Sequence, residues 1–295
     1  MRALRTTVSA AVLTLPFALA GCSLFPTTRH LPVPKTPPLV QTATPQELVA
    51  LLNQHWDALN SLTAKVEIYA TVLKAAQGEA KDYPSCTGYI ILGKPSNLRV
   101  YGTLFNVNIF DMASNGDRFT LVIPPKSIAI EGTGAATEKS PNPFENLRPE
   151  FFFDAIAVRG LEPDEEYMVS ADTDTLEDTA HKHLYIEPEY VLSVMRHKPA
   201  SQELMPVRVI TFHRDDLRPY IQDLYDAQGN LQTQITYSDY SNFAGGPYPA
   251  KVIIKRPMEG IQLTLQVERV QKNVDLPADE FTVKIPPGTK VRQLK

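Results

Sequence analysis

The residue with the clearest chemistry in this 295-residue chain is Cys22, which follows an apolar segment and two small residues. Arg2 and Arg5 come first, and residues 8–20 form the apolar segment. A positive start, a short apolar run and small residues before a cut are the order of parts in a secretory signal. The run is too short to span a bilayer. The thiol of Cys22 would then be the group that can carry a lipid.

The four residues Leu19-Ala20-Gly21-Cys22 resemble the lipobox of bacterial lipoproteins. This resemblance implies that residues 1–21 are a signal peptide, whose peptidase recognises Leu19, Ala20 and Gly21. It also implies that the mature chain begins at Cys22 and is anchored in a membrane through S-diacylglycerol and N-palmitoyl groups on that residue. The alternative is an ordinary signal peptide in which Cys22 is incidental.

Residues 22–44 are predicted to be the lipidated cysteine followed by a tether, because five prolines interrupt any periodic apolar pattern. Proline-rich chain prefers an extended conformation of about 3.1 Å per residue, so the tether could reach roughly 70 Å. Cys22 is followed by Ser23, not by the aspartate that retains lipoproteins at the inner membrane of well-studied diderm bacteria. By resemblance, this favours the periplasmic face of the outer membrane.

Composition limits the partners and the covalent structure of the folded part. The formal net charge is −4, so nucleic acid is an unlikely partner because there is no basic excess to displace counterions. The chain has two cysteines, and if Cys22 carries lipid, Cys86 is left without an intrachain disulfide partner. No cofactor is expected. Residues 45–295 are predicted to form a single domain, and the sequence leaves its oligomeric state open.

The folded part begins with one helix and continues as strands. Thr44 is the expected N-cap, Pro45 the first helical residue and Glu47 the partner in a capping box. From Leu62 onwards the apolar residues alternate, as in half-buried strands. Two separate strands are predicted at residues 183–187 and 190–195, and a last strand at 281–285. A second, aromatic helix begins at Pro149.

This pattern predicts a mainly β fold with a few helices. The expected architecture is an antiparallel curved sheet that forms an unclosed β-barrel, with the helix from Pro45 and the aromatic segment around Phe151 as lids. Such a fold leaves an apolar space between the sheet and its lids, either filled or hollow. Its expected lining beneath residues 45–59 is the following set: Val66, Ile68, Ile109, Leu121, Leu263 and Leu265.

Several local motifs look like those of the lipoprotein-sorting superfamily of LolA and LolB. The resemblance covers most of residues 44–294 and implies an unclosed β-barrel whose hydrophobic cavity accepts the acyl chains of lipoproteins. The motifs are Gly88-Tyr89-Ile90-Ile91-Leu92-Gly93-Lys94-Pro95-Ser96-Asn97-Leu98-Arg99, Ser114-Asn115-Gly116-Asp117-Arg118-Phe119, Tyr225-Asp226, Asn273, Phe281 and Pro286-Pro287-Gly288.

Two features of that family have counterparts here. The membrane-bound receptor inserts an apolar finger into the membrane, and the matching turn carries Leu104 and Phe105, which could instead belong to the core. The soluble carrier has an arginine before the proline of its second strand that holds the lid shut. Lys94 occupies this place, although lysine cannot make the forked contacts of arginine.

The sequence contains no motif of a common enzyme class, and no enzymatic activity is expected. The best candidate for a metal site is a group of acidic and histidine side chains predicted to lie between strands, which we expect to be solvated charge. We therefore expect no metal. The group consists of Asp172, Asp174, Glu177, Asp178, His181 and His183.

The sequence is compatible with two functions. The first is a tethered envelope protein whose apolar cavity holds acyl chains or lipoproteins, and which could help lipoproteins to reach or enter the outer membrane. The second is a structural or sensory envelope lipoprotein with a filled core that contacts other envelope proteins without transferring lipid. A cavity of several hundred cubic ångströms would favour the first.

Overall fold

The computed structural model describes residues 29–32, 40–74, 77–133, 143–146, 148–177 and 180–294. The predicted signal peptide, Cys22, most of the tether and Asp178 lie outside these residues. Among the helices described, none is long and apolar enough to cross a membrane.

Helix α1 (Pro45–Asp57) begins as the sequence predicts. The hydroxyl of Thr44 accepts a hydrogen bond from the Glu47 amide at 3.2 Å, and the Glu47 carboxylate accepts one from the Thr44 amide at 2.7 Å. This reciprocal pair satisfies two of the amide groups that a helix start leaves without partners. The predicted capping box is therefore confirmed. Helix α2 (Pro149–Ile156) also begins with proline at its first position.

Fourteen strands form one sheet within the described residues. The strands are β1 Ser61–Lys74, β2 Glu79–Gly93, β3 Asn97–Leu104, β4 Val107–Ser114, β5 Arg118–Ile123, β6 Ile128–Thr133, β7 Glu165–Glu177, β8 Leu184–His197, β9 Leu204–His213, β10 Pro219–Tyr225, β11 Leu231–Phe243, β12 Gly246–Arg256, β13 Ile261–Lys272 and β14 Lys290–Gln293.

The strand order is two antiparallel meanders joined along one seam. Strands β1 to β6 follow one another in space, and so do β7 to β13. The seam is the antiparallel pairing of β1 with β13, and β14 adds a parallel strand beside β6. The two edges, β14 and β7, do not pair with each other, so the curved sheet is not closed. The predicted fold class, an unclosed antiparallel barrel with helical lids, is confirmed.

The two separate strands predicted at 183–187 and 190–195 are one continuous strand, β8. Pro188 suggested a break because proline cannot donate to a strand ladder. In the structure Pro188 is paired only with Thr173 of β7, and the pairing of β8 with β9 begins one residue later, at Glu189. No hydrogen bond to β9 is therefore required of the proline nitrogen.

The strand predicted at 281–285 is also wrong. A 3₁₀ turn, Ala278–Phe281, lies there and packs against β3. Arg99 donates hydrogen bonds to the backbone carbonyl and the carboxylate of Glu280, at 3.1 and 3.2 Å. These bonds hold the segment after β13 against β3. The chain then reaches the far edge of the sheet, where β14 pairs with β6.

The two helices cover different parts of one face of the sheet. Leu48 and Leu52 of α1 are buried against β8 and β9, where they meet Leu192 and Ile210. Helix α2 belongs to the larger apolar cluster, which β1 to β6 and β11 to β13 share. The face beneath the lids thus has two apolar regions, one under each helix.

Candidate functional site

A cavity of ≈ 500 Å³ lies between the first meander and α2. We call it the β1–β5 cavity. Side chains of β1 to β5 and β13 form its wall, and residues from the connections and α2 cover it. Its lining is Ile68, Ala70, Tyr83, Pro84, Cys86, Leu104, Ile109, Phe110, Met112, Leu121, Ile123, Lys126, Phe144, Phe152 and Leu263.

Two glycines make room in the wall of this cavity. Gly88 of β2 and Gly102 of β3 are direct partners across the ladder. A Cβ at Gly88 would lie 2.4 Å from Cδ1 of Ile68, and a Cβ at Gly102 would lie 2.4 Å from Cε1 of Phe110. The missing side chains let Ile68 and Phe110 lie across the sheet surface. This glycine pair is the signal in the sequence that could have located the cavity.

Four of the six side chains expected to line a cavity do line this one: Ile68, Ile109, Leu121 and Leu263. Val66 and Leu265 do not, since both are fully buried in the surrounding core. The cavity also lies under α2 and not under residues 45–59, because α1 packs on β8 and β9. The expectation that a hollow beneath α1 holds these residues is therefore corrected.

The turn between β3 and β4 joins the cavity to solvent. Leu104 lines the cavity, whereas the next residue, Phe105, is 91% exposed. Phe105 and Asn106 adopt left-handed backbone conformations with φ of 49° and 62°, and Val107 beyond them is 61% exposed. A phenylalanine exposed to this extent is not core, so the alternative interpretation does not apply to Phe105. Leu104 and Phe105 are neighbouring apolar residues, one in the cavity lining and the other at the surface.

The electrostatic character of the cavity is set by few groups. Among the described residues that line it, Lys126 is the only charged one, and its Nζ lies 3.6 Å from a carboxylate oxygen of Glu145. Burial, and after it the negative charge of Glu67, raises the pKa of the Cys86 thiol from 9.0 to about 11. Cys86 is therefore a neutral, weakly reactive lining group at ordinary pH.

Cys86 provides a direct prediction about this cavity. In a chain with Cys22→Ala it is the sole cysteine. Because its pKa is raised to about 11, its thiolate fraction at pH 8 should be about a hundredfold lower than that of the unfolded chain. Alkylation by iodoacetamide, followed by mass spectrometry, should be slower by at least this factor in the folded protein than in urea. Equal rates would show that Cys86 is not buried in the cavity wall.

Comparison with solved structures supports one assignment of fold. A LolA superfamily protein from Nitrosomonas europaea superimposes with a TM-score of 0.51 at 15% identity, covering 82% of this chain and 99% of that chain. This chain has a LolA-like fold. No family model matches the sequence, and no curated protein sequence matches it.

Two further solved structures are similar at lower scores. A DUF1329 family protein from Desulfovibrio piger has a TM-score of 0.48 at 15% identity, covering 80% of this chain and 94% of that chain. An outer membrane lipoprotein-sorting protein domain from Vibrio parahaemolyticus has the same TM-score at 11% identity, with the same coverage of both chains.

The LolA-like sheet carries a second cavity of ≈ 550 Å³, which we call the α1 cavity. It lies between the C-terminal half of α1, the end of α2 and strands β9 to β13. Its lining is Leu51, Leu52, His55, Trp56, Ala58, Leu59, Leu62, Ile156, Ala157, Val158, Phe212, Leu217, Arg218, Pro219, Tyr237, Tyr240, Ala244, Gly245, Pro247, Tyr248, Pro249, Lys272 and Asn273.

The C-terminal end of α1 is held by two side chains that the resemblance pointed to. Lys94 donates a hydrogen bond to the backbone carbonyl of Trp56 at 2.7 Å, and its Nζ lies 4.1 Å from the centre of the Trp56 ring. The amide of Asn273 donates to the carbonyl of Ala58 at 2.9 Å. A cation at a helix C-terminus also complements the helix dipole. Lys94 therefore contacts the lid helix α1 directly, because its ammonium group binds the Trp56 carbonyl and lies over the Trp56 ring.

The residues considered for metal binding are arranged differently from the expectation. Asp172, Asp174 and Glu177 belong to β7, because this strand continues far beyond residue 170. His181 lies in the turn that follows, with a left-handed φ of 54°, so it does not share a strand face with His183. Among the residues described, no group of three or more His, Cys, Asp and Glu side chains could hold a metal ion.

Proposed function

We propose that this protein is a lipid-anchored envelope lipoprotein whose β1–β5 cavity binds the acyl chains of lipids or lipoproteins. The observation that carries the proposal is the cavity, with a volume of ≈ 500 Å³ and an almost wholly apolar wall. This volume falls within the range of about 300 to 1,000 Å³ that is usual for small-molecule sites. Each methylene moved from water into such a wall stabilises the complex by about 0.8 kcal/mol.

The turn at Phe105 supports exchange of the ligand with a membrane. Its ring is 91% exposed, and the adjacent Leu104 is part of the cavity lining. Aromatic rings are favoured at the interface between water and lipid, and the turn offers a short apolar route from that interface to the cavity. We propose that Leu104 and Phe105 form a finger that touches the bilayer while an acyl chain enters or leaves.

The anchor is the second part of the proposal. Lipid on Cys22 would hold the protein at a cell-envelope membrane, because two or more acyl chains anchor stably where one chain binds reversibly. Ser23 at the next position favours the periplasmic face of the outer membrane. The tether of residues 23–44 would let the folded domain stand away from the membrane or turn its finger back towards it.

We further propose that the protein acts by binding and not by catalysis. The side chains in the β1–β5 cavity that could do chemistry are few: Cys86 is kept protonated by its raised pKa, and Lys126 is close to Glu145. An apolar wall without an activated nucleophile suits a ligand that is held and released unchanged. The similarity of the motifs to those of LolA and LolB supports lipoproteins as ligands.

Mass spectrometry tests both parts separately. The full chain, purified from the envelope of a diderm bacterium, should begin at Cys22 under denaturing conditions and carry the added mass of one glyceryl group and three acyl chains. With Cys22→Ala this added mass should be absent. For the cavity, residues 22–295 with Cys22→Ala are suitable, because the described strands and helices all begin at or after Pro45. Native spectra of this protein should contain bound lipid.

Each result has an outcome that contradicts the proposal. A mature chain with an unmodified Cys22 would contradict the proposed lipid anchor but not the proposed acyl binding in the β1–β5 cavity. A native spectrum without bound lipid, together with no uptake of a fluorescent acyl probe, would overturn acyl binding and leave the anchor standing.

A further inference from the structure

The α1 cavity is separate from the β1–β5 cavity. The two share no lining residue among those described, and α2 stands between them, with Phe152 lining one and Ile156 the other. The volume of ≈ 550 Å³ again suits a small ligand. The LolA-like sheet therefore offers a second site for a ligand.

The tyrosines of the α1 cavity do not provide free polar groups. The hydroxyl of Tyr248 donates to the carbonyl of Ile156 at 2.7 Å, and that of Tyr240 donates to the carbonyl of Pro219 at 2.6 Å. The hydroxyl of Tyr237 is directed at the carbonyl of Asp154, 3.5 Å away. Their rings consequently act as apolar wall.

Cationic side chains are the polar groups that remain available. Lys272 donates a long hydrogen bond, 3.4 Å from its Nζ to the carbonyl of Pro247, and its Nζ lies 5.9 Å from the centre of the Tyr248 ring, but it has no carboxylate partner within the described part of the chain. Burial lowers the pKa of Lys272, as expected for a charge that lacks a counterion. Arg218 is 3.3 Å from Asp216, which balances only part of the charge at this mouth.

His55 of α1 lines the same cavity as Lys272 and Arg218. The pKa of His55 is lowered first by burial and then by the positive charges of Lys272 and Arg218. Lys272 of β13 and Arg218, before β10, are the two cationic side chains in the lining of this aromatic and aliphatic cavity, and His55, whose lowered pKa favours its neutral form, lies near them. An anion at this point would neutralise the cationic side chains, and charge-assisted hydrogen bonds to it would be strong.

We propose that the α1 cavity binds a single-chain amphiphile with an anionic head, for which a long-chain fatty acid is the simplest example. Lys272 and Arg218 contact the head, and the tyrosine rings with Leu51 and Leu59 enclose the start of the chain. A carboxylate and a lysophospholipid phosphate share the required chemistry. This inference does not depend on acyl binding in the β1–β5 cavity.

The test compares ligands and variants on residues 22–295 with Cys22→Ala. Palmitate should bind at least tenfold more tightly than hexadecanol, since the alcohol lacks the charge, and Lys272→Gln should remove about tenfold of the palmitate affinity. Lys255→Gln is the matched control, because it removes the same charge from an exposed position of β12 that lines neither cavity, and it should leave this preference unchanged. Replacing palmitate by 1-palmitoyl-lysophosphatidylglycerol identifies which anionic head binds more tightly.

A palmitate analogue with a photoactivatable group locates the ligand. Peptide mass spectrometry should find label in residues 212–219 or 237–249, and this label should decrease with Lys272→Gln. Label confined to residues 68–86 and 104–123 would overturn the inference and support the β1–β5 cavity. Equal affinities for palmitate and hexadecanol, or an unchanged affinity in Lys272→Gln, would also overturn it. Label missing from 68–86 and 104–123 would count against the proposed function alone.

Discussion

Replacing Ile109 by lysine is expected to reduce acyl-chain binding in the β1–β5 cavity by about a hundredfold. Ile109 lines this cavity from β4 and is only half-buried, so a lysine there can keep its ammonium near water. The new side chain would occupy space that three or four methylenes of the ligand would use. Their loss removes about 2.5 to 3 kcal/mol of binding free energy, which corresponds to roughly two factors of ten.

Asn108→Lys is the matched control for this change. Asn108 precedes Ile109 on the same strand, is exposed and does not line the cavity. The same charge is therefore added one residue away, outside the cavity lining. Titration with a fluorescent acyl probe should give wild-type affinity for Asn108→Lys and a weak signal for Ile109→Lys. Wild-type affinity in both variants would place the acyl chain somewhere other than this cavity.

Replacing Leu265 by alanine is expected to have the opposite pattern, a large loss of stability with little loss of acyl binding. Leu265 is fully buried on β13 and touches the core, not the cavity. Truncating a buried leucine costs about 2 to 5 kcal/mol, because the removed atoms lose their contacts and the surroundings relax only in part. Denaturant unfolding should show this as a lower free energy of unfolding.

Thr264→Ala serves as the control for Leu265→Ala. Thr264 is the preceding residue on β13, its side chain faces the other side of the sheet and it is only half-buried. This variant should lie within about 0.5 to 1 kcal/mol of the parent protein. If Leu265→Ala unfolds like the control, or loses acyl affinity as Ile109→Lys is expected to do, the assignment of Leu265 to the core is wrong.

The two variants together separate the side chains that hold the fold from those that face a ligand. Ile68, Ile109, Leu121 and Leu263 line the hollow, whereas Val66 and Leu265 fill the layer around it. All six have the same chemistry and the same inward direction on their strands. Only measurements that distinguish stability from binding can show which role each one has.

Local structure could be predicted well because its causes are local. The capping box at Thr44 and Glu47 forms from residues three apart, and Asn115-Gly116 ends a strand and reverses the chain between β4 and β5. Alternation of apolar residues from Leu62 identified the buried face of β1. The lipobox resemblance at Cys22 likewise needs four neighbouring residues and no tertiary contact.

Strand partners were less predictable, because pairing joins residues that are far apart in the chain. The seam of β1 with β13 brings Leu62 beside Lys272. The parallel addition of β14 next to β6 follows a segment in which Arg99 of β3 donates a hydrogen bond to the carbonyl of Glu280. Neither arrangement has a signature in the neighbouring residues, and so residues 281–285 were assigned to a strand that does not form.

The amino-acid sequence by itself determined most of the order of helices and strands, the buried face of β1 and the candidate lipidation site. Only the tertiary structure decided where that face is hollow. Whether a cavity remains beneath a lid depends on the combined volume of the side chains that several strands place there. Gly88 and Gly102 leave room for Ile68 and Phe110 to lie across the sheet only because the two glycines are partners between β2 and β3. The placement of α1 over β8 and β9 likewise left the two cavities apart, one beside each helix.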